Sequence, residues 1–327
     1  MTSLNFGNFS RKIKNRRSFI CGIKGISLSK KEILFLKKYK PWGLILFTRN
    51  IKNINQTRKL TNSIRKIFQD NYFPIMVDEE GGRVSRFKNI FDNSILTSEF
   101  FGHLYSKDKK KFDVFINVYV SQITNILKQS GININSVPVL DINRKNYHKI
   151  IGDRSFSNSP KIISEIGDLV INKYITNNIL TIIKHIPGHG LSKEDSHKSL
   201  PVITKKLNYL LNNDFKTFRN KQSLLAMTAH ILFENIDSIN CVTHSKKIIK
   251  IIRNNIGFKN ILMTDDISMK ALKYSLKTNT KKAFDAGCNI VLHCNANLSE
   301  MEIVAENSPF LSTFVIKKTS QIYKKLS

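Results

Sequence analysis

The sequence predicts a single-domain α/β fold, a closed (β/α)₈ or TIM barrel, over the whole chain of 327 residues. Eight short runs rich in Ile, Val, Leu and Phe alternate with longer segments whose apolar residues recur at helical spacing. Strands that are buried on both faces and alternate with helices form parallel sheets. Eight such units in about 300 residues fit a closed barrel better than an open sheet.

The elements follow in order from these runs. The predicted strands are residues 18–23, 43–47, 75–79, 134–142, 180–184, 224–230, 260–265 and 289–293. The predicted helices between them are residues 30–39, 53–68, 110–129, 160–177, 205–219, 246–254 and 268–286. We assign a basic N-terminal segment, residues 1–17, and a C-terminal helical tail, about residues 300–327, to the same domain.

The net positive charge of the chain suggests a different class of function, the binding of anionic partners. Lys and Arg number 53 against 24 Asp and Glu, a formal net charge of +29, and 41% of the residues are hydrophobic. That apolar share excludes a disordered polycation, but the charge suits nucleic acid or an anionic membrane surface. Lys, Ile and Asn, all encoded by A/T-rich codons, make up over a third of the chain. We therefore attribute the charge to composition and expect no nucleic-acid partner.

Targeting signals and cysteine pairing are also missing from the sequence. The longest apolar runs, such as residues 42–47, fall far short of the ~20 residues that a spanning helix needs. The basic residues near the N-terminus are not followed by the apolar region of a signal peptide. The four cysteines form no CxxC pair, which is typical of reduced thiols. We expect a cytoplasmic monomer that does not span a membrane.

Polar residues gather at the ends of seven predicted strands, where barrel enzymes carry their active sites. These segments are residues 48–50, 78–83, 141–143, 184–190, 228–230, 264–266 and 293–295. Any one of them could cap the following helix. Seven together, with Arg49, Lys184 and His185 among them, indicate a polar, charged mouth instead.

Two groups of residues are candidates for catalysis. Successive side chains of a strand point to opposite faces, so either Asp265 or Asp266 should face the mouth while the other caps a helix near Ser268. The loop at residues 184–190 leads to Asp195 and His197, where the carboxylate could orient the imidazole for general acid/base work. The alternatives are two capping aspartates and a chance pair on the surface.

A metal site is a further alternative. His185, His189, His197 and His230 with Asp265 could bind a metal, as in barrel hydrolases. There is no His-x-His and no HExxH, and Arg86, Arg154 and Lys184 would add competing positive charge. The two glycines at 81 and 82 form neither a GxGxxG motif nor a P-loop. We therefore expect no metal and no cofactor.

Taken together, the motifs resemble those of the family-3 glycoside hydrolases, most closely the single-domain, NagZ-type bacterial β-N-acetylglucosaminidases of cell-wall recycling. The matching segments, in family order, are DEEGGRVSRF at 78–87, GDRSF at 152–156, KHIPGHG at 184–190, DSH at 195–197, MTAH at 227–230 and TDDISM at 264–269. The likeness covers about residues 43–295. Its small departures are Glu79 in place of Gln, Ile186 in place of an aromatic residue and Thr264 in place of Ser.

The resemblance implies a (β/α)₈ barrel that removes non-reducing β-linked N-acetylglucosamine with retention of configuration. It implies Asp265 as the nucleophile and His197 as the general acid/base, with Asp195 as its partner. The sugar contacts that it implies are Asp78, Arg86, Arg154, Lys184 and His185. The expected substrate is a GlcNAc–anhydro-muropeptide. The alternatives are a nucleic-acid or anionic-surface binding protein on a barrel scaffold and a metal-dependent barrel hydrolase.

Overall fold

A computed structural model describes residues 13–144, 149–196 and 199–327. The strands, in chain order, are β1 (Arg17–Gly22), β2 (Pro41–Leu46), β3 (Ile75–Val77), β4 (Ile134–Asn135), β5 (Leu180–Ile186), β6 (Val202–Ile203), β7 (Leu225–Thr228), β8 (Leu232–Phe233), β9 (Ile261–Asp266) and β10 (Ile290–His293). Eight of them close a barrel in the order β1–β10–β9–β7–β5–β4–β3–β2, and every pairing is parallel. The predicted (β/α)₈ barrel is confirmed, and all eight predicted runs contribute a strand. The remaining two strands, β6 and β8, pair beside the barrel.

The α-helices surround this sheet. They are α1 (Lys30–Tyr39), α2 (Ile54–Phe68), α3 (Ser98–Lys107), α4 (Lys109–Gln129), α5 (Pro160–Thr176), α6 (Leu207–Asn212), α7 (Lys246–Ile251), α8 (Leu276–Ala286), α9 (Leu298–Glu306) and α10 (Thr313–Leu326). Local signals explain where they begin. For α1, Ser29 Oγ accepts the N–H of Glu32, while the Glu32 carboxylate accepts the N–H of Ser29, which is a complete capping box. No helix within the described ranges is long and apolar enough to cross a bilayer.

The apolar core has two parts, and strand alternation separates them. Along β1, Ile20 joins the cluster inside the barrel, while its neighbours Phe19 and Cys21 join the cluster between strands and helices. Helix α10 packs against the inner cluster at the end of the barrel where the strands begin. There Trp42 donates from Nε1 to Thr319 Oγ1 over 2.8 Å. That end of the barrel is therefore sealed, and the opposite mouth remains for the site.

Three predicted elements need correction. The run at residues 134–142 forms only the two-residue strand β4, because Pro138 has no N–H to donate to a ladder; only an isolated bridge from Val139 to Lys184 follows. The helix predicted at 268–286 begins at Leu276. The segment predicted as one helix at 205–219 is α6 followed by a 3₁₀ turn at Asp214–Phe218.

Candidate active site

A pocket of about 180 Å³ opens where the barrel strands end. Its walls include six of the eight residues predicted for the site: Asp78, Arg86, Arg154, Lys184, His185 and Asp265. Asp195 is half-buried and lies outside this lining, and His197 lies outside the described residues. The structure therefore brings together the predicted nucleophile and all of the predicted sugar contacts.

Buried ion pairs organise one wall of the pocket. Lys184 Nζ lies 3.0 Å from Asp78 Oδ1 and 2.6 Å from Glu80 Oε1. Arg154 binds the same Glu80 carboxylate through two nitrogens, Nε at 2.7 Å and Nη2 at 2.8 Å. Burial alone would raise the pKa of Glu80, but Arg154 and Lys184 outweigh it and hold the pKa far below its usual value. Glu80 therefore stays ionised and holds two predicted sugar contacts at fixed positions.

Glu80 belongs to the DEEGGRVSRF motif at residues 78–87, but the site predicted from sequence does not include it. Its partners come from β5 and from the turn at Gly152–Arg154, which are far away along the chain. One signal was available, since three consecutive acidic residues end a buried strand and could not all remain without cationic partners.

The loop after β3 carries Arg86, and Glu79 fastens it. The buried Glu79 carboxylate accepts the N–H groups of Arg86 at 2.6 Å and Phe87 at 3.1 Å, and the Asn93 amide at 2.8 Å. Burial raises the pKa of Glu79. A glutamine oxygen could accept the two backbone N–H groups that go to Oε2, so this part of the contact does not depend on the departure noted in the sequence.

Gly81 makes the turn of this loop possible. Its φ is +90°, and an added Cβ would lie 2.5 Å from both the Leu96 carbonyl oxygen and the Tyr119 hydroxyl. Glycine therefore meets both a backbone and a space requirement here.

Asp265 and Asp266 divide their roles at the end of β9. Asp265 lines the pocket, and its Oδ1 accepts the N–H of Asp266 over 2.8 Å. The Asp266 carboxylate instead accepts the N–H and hydroxyl of Ser268 and the N–H of Cys294. The expectation that this second aspartate caps a helix near Ser268 is wrong, because it stabilises a turn and Ser275 caps α8.

The environment of Asp265 keeps it ionised. Burial alone would raise its pKa, but the nearby imidazoles of His230 and His185, the Asp266 N–H and Lys184 lower it overall. His230 also braces the chain beside it, because its Nε2 donates to the Asp266 carbonyl over 3.0 Å and its Nδ1 accepts from Thr243 Oγ1 over 2.7 Å. The result is a half-buried carboxylate that carries a negative charge at the end of β9.

The end of β5 and the segment that follows it form another part of the pocket lining. His185 lies in the pocket lining with its Nδ1 2.7 Å from Asp141 Oδ2. His189 lies against it with ring centroids 5.6 Å apart, and its Nε2 is 3.2 Å from Ser196 Oγ. Asp141 is a second residue that the sequence-based site did not include.

The pocket places a carboxylate beside cations and an imidazole. Among the described residues, no group of three or more His, Cys, Asp or Glu side chains is placed to hold a metal ion. A closed (β/α)₈ barrel with reactive groups at the ends of its strands defines this protein as one of the barrel enzymes.

Comparisons with known proteins identify the particular family. Residues 19–314 match the family model described as the glycosyl hydrolase family 3 N terminal domain, and the chain belongs to this family. A β-hexosaminidase of Neisseria meningitidis serogroup B is 33% identical over 77% of this chain and 71% of its own length. A β-hexosaminidase of Psychromonas ingrahamii is 30% identical over 94% of this chain and 89% of its own.

A solved structure agrees with these relatives. NagZ from Neisseria gonorrhoeae, in complex with N-trifluoroacetyl-D-glucosamine, superposes with a TM-score of 0.85 at 26% identity. The likeness covers 94% of this chain and 90% of the gonococcal one. The predicted family resemblance is thus confirmed, and it spans every strand of the barrel.

Proposed function

We propose that this protein is a retaining β-N-acetylglucosaminidase that removes non-reducing terminal GlcNAc from peptidoglycan fragments, the GlcNAc–anhydro-muropeptides of cell-wall recycling. The observation that carries the proposal is the position of the Asp265 carboxylate, with its lowered pKa, in a pocket with Arg86, Arg154 and Lys184, in a family 3 glycoside hydrolase. The reaction needs neither metal nor cofactor, and we expect it to occur in the cytoplasm.

In the first step, an Asp265 oxygen attacks the anomeric carbon as the bond to the leaving oxygen breaks. The electron pair of that bond stays with the leaving oxygen, which takes a proton from His197. The product is a covalent glycosyl–Asp265 ester. A lowered pKa suits this role, because the attacking carboxylate must be unprotonated.

In the second step, water attacks the same carbon and gives a proton back to His197, which releases Asp265 and the free sugar. Two inversions give net retention. Asp195 is the partner that orients the imidazole for both proton transfers. Most glycosidases use a carboxylic acid here, so the Asp–His pair is an exception to the common pattern.

The remaining predicted residues bind the sugar. Asp78, Arg86, Arg154, Lys184 and His185 line the pocket, and charged groups form stronger hydrogen bonds to hydroxyls than neutral groups do. Because Asp78 and Glu80 hold Lys184 and Arg154 in place before any ligand arrives, little ordering is needed on binding.

Hydrolysis of an aryl β-N-acetylglucosaminide tests this function. The wild-type protein should release the aryl alcohol, and Asp265→Ala should lower kcat by at least ~10³-fold, because the covalent step is lost. Asp285→Ala, which removes an exposed carboxylate of α8, is the matched control and should keep wild-type kinetics. Absence of turnover by folded wild-type protein, or full turnover by the Asp265 variant, would refute the proposal.

A further inference from the structure

Asp141 is a buried carboxylate that the proposed mechanism does not use. It follows β4, only 1% of its surface is exposed, and it faces the end of β5 and the segment that follows. Oδ2 lies 2.7 Å from His185 Nδ1 and 3.2 Å from the His185 N–H, and Oδ1 accepts the His189 N–H over 2.7 Å. One carboxylate therefore fixes both the ring and the backbone of the segment that holds His185.

These contacts decide which nitrogen of His185 carries a proton. His185 and His189 outweigh the effect of burial and lower the pKa of Asp141, so its carboxylate is ionised and can only accept hydrogen bonds. At 2.7 Å, Nδ1 must then be the donor. Nε2 makes no hydrogen bond to any of the residues described, and His185 lines the pocket, so this nitrogen is left for a ligand.

A structural function alone would not require this geometry. A carboxylate that only closed the loop could bind the two N–H groups and leave the ring to rotate. Here Oδ2 lies 2.7 Å from the ring nitrogen Nδ1 and so binds the imidazole itself. The same arrangement recurs where histidines act at catalytic or metal centres, with a carboxylate fixing the tautomer through one nitrogen while the other works.

We propose that Asp141 is a positioning residue that acts through His185: it holds the proton on Nδ1 and keeps Nε2 turned toward the bound sugar as a hydrogen-bond acceptor for a hydroxyl. The inference rests on the proposed function, because it assigns the ligand of His185 as a sugar. Asp141 does not touch the reacting atoms, so its removal leaves the nucleophile intact.

Asp141→Asn is the informative change. The Asn amide donates where the carboxylate accepted, so the neutral ring would accept at Nδ1 and move its proton to Nε2. Nε2 would then offer a hydrogen where a sugar hydroxyl needs a lone pair. We expect kcat/KM for the aryl glycoside to fall about 10- to 100-fold, the range typical of residues that orient a working histidine.

A double-mutant cycle with His185→Gln separates this role from loop closure. Asp141→Asn should lower kcat/KM about 10- to 100-fold in the wild-type background and less than about threefold in the His185→Gln background, because the residue through which it acts is gone. Equal losses in both backgrounds would overturn the inference and make Asp141 a loop-closing residue only.

A second measurement needs no Asp141 variant. Long-range ¹H–¹⁵N correlation of the histidine rings, with the His185 signals assigned by their loss in His185→Gln, should report a protonated Nδ1 and an unprotonated Nε2 at a pH where the ring is neutral. The opposite tautomer would overturn the inference. If the wild-type protein fails to hydrolyse the glycoside, the proposed function fails, while the tautomer still decides whether Asp141 holds His185.

Asp70→Asn is the matched control. It removes a carboxylate of similar burial at the sealed end of the barrel, where Asp70 pairs with Arg16 and Tyr323. It should lower the stability but leave kcat/KM within about twofold and the His185 tautomer unchanged, since destabilisation by itself does not alter the pocket. A loss of kcat/KM as large as that of Asp141→Asn would show that general destabilisation explains both.

Discussion

Replacing Glu80 by Gln tests whether the pocket wall is held by buried charge. The Glu80 side chain is 3% exposed and accepts hydrogen bonds from Arg154 and Lys184. The side chains of these two partners are 12% and 3% exposed. After Glu80→Gln, Lys184 keeps its pair with Asp78, whereas Arg154 loses its ion pair and keeps a carbonyl contact to Ile150 at 3.2 Å and at most one amide oxygen at position 80. The variant therefore leaves one largely buried guanidinium without a directly paired carboxylate.

Breaking a buried pair by removing one partner costs about 3–5 kcal/mol. Because Gln keeps one acceptor oxygen for Arg154, we expect the lower end, a loss of about 3 kcal/mol in the free energy of unfolding. For a domain of this length the entropy of unfolding is about 0.7 kcal/mol/K, so Tm should fall by about 4 °C. Denaturant and thermal unfolding followed by circular dichroism measure both quantities.

Asp153→Asn provides the comparison within the same turn. Asp153 pairs with Arg83 at 2.7 Å, but the two side chains are 35% and 46% exposed, so the pair should contribute less than about 1 kcal/mol. If Glu80→Gln destabilises the protein no more than Asp153→Asn does, the reasoning that buried charge fixes Arg154 and Lys184 is refuted.

Two further predictions concern stability. Burial lowers the pKa of His189 to about 4 from its ordinary 6.5, so between pH 6.5 and pH 4 the unfolded chain takes up a proton and the folded protein does not. The free energy of unfolding should therefore fall by about 3 kcal/mol as the pH drops from 6.5 to 4. His189→Gln should reduce the slope of the free energy of unfolding against pH by up to one proton. An unchanged slope in the variant would contradict this assignment. Gly102→Ala, in α3, should lower the free energy of unfolding by more than about 2 kcal/mol, because the added Cβ would lie 1.5 Å from the Phe156 carbonyl oxygen. The control is Gly25→Ala, whose added Cβ has its nearest neighbour at 3.8 Å and which should change the free energy of unfolding by less than about 1 kcal/mol. Equal unfolding midpoints for the two alanine variants would show that the backbone of α3 moves to accommodate the methyl group.

The barrel could be predicted from sequence because each of its strands is buried on both faces, which leaves a short apolar run that local pattern detects. The pocket followed from the same logic, since polar residues after those runs have to meet at one end. Helix α3 was not predicted, and the start of α8 was placed eight residues too early, at Ser268 instead of Leu276. In the second case the Asp266 carboxylate captures Ser268 and Cys294, a tertiary contact that local pattern does not contain.

The partners of Glu80 and Asp141 were missed for a related reason. Glu80 meets Arg154 across 74 positions of the chain, and Asp141 meets His185 across 44. A motif identifies the residue types, but only the closure of the barrel brings such pairs within hydrogen-bond distance. The sequence therefore predicts the groups that line the pocket more readily than the groups that hold them in place.

The identity of the nucleophile is the central claim, and trapping the covalent intermediate tests it most directly. A fluorinated β-N-acetylglucosaminide that slows the second step more than the first should let a glycosyl–enzyme ester accumulate, and peptide mass spectrometry should locate the sugar on Asp265. Proton NMR during hydrolysis of the unfluorinated β-N-acetylglucosaminide should show the β-anomer of the free sugar as the first product. A label on any other residue, or first release of the α-anomer, would contradict the account.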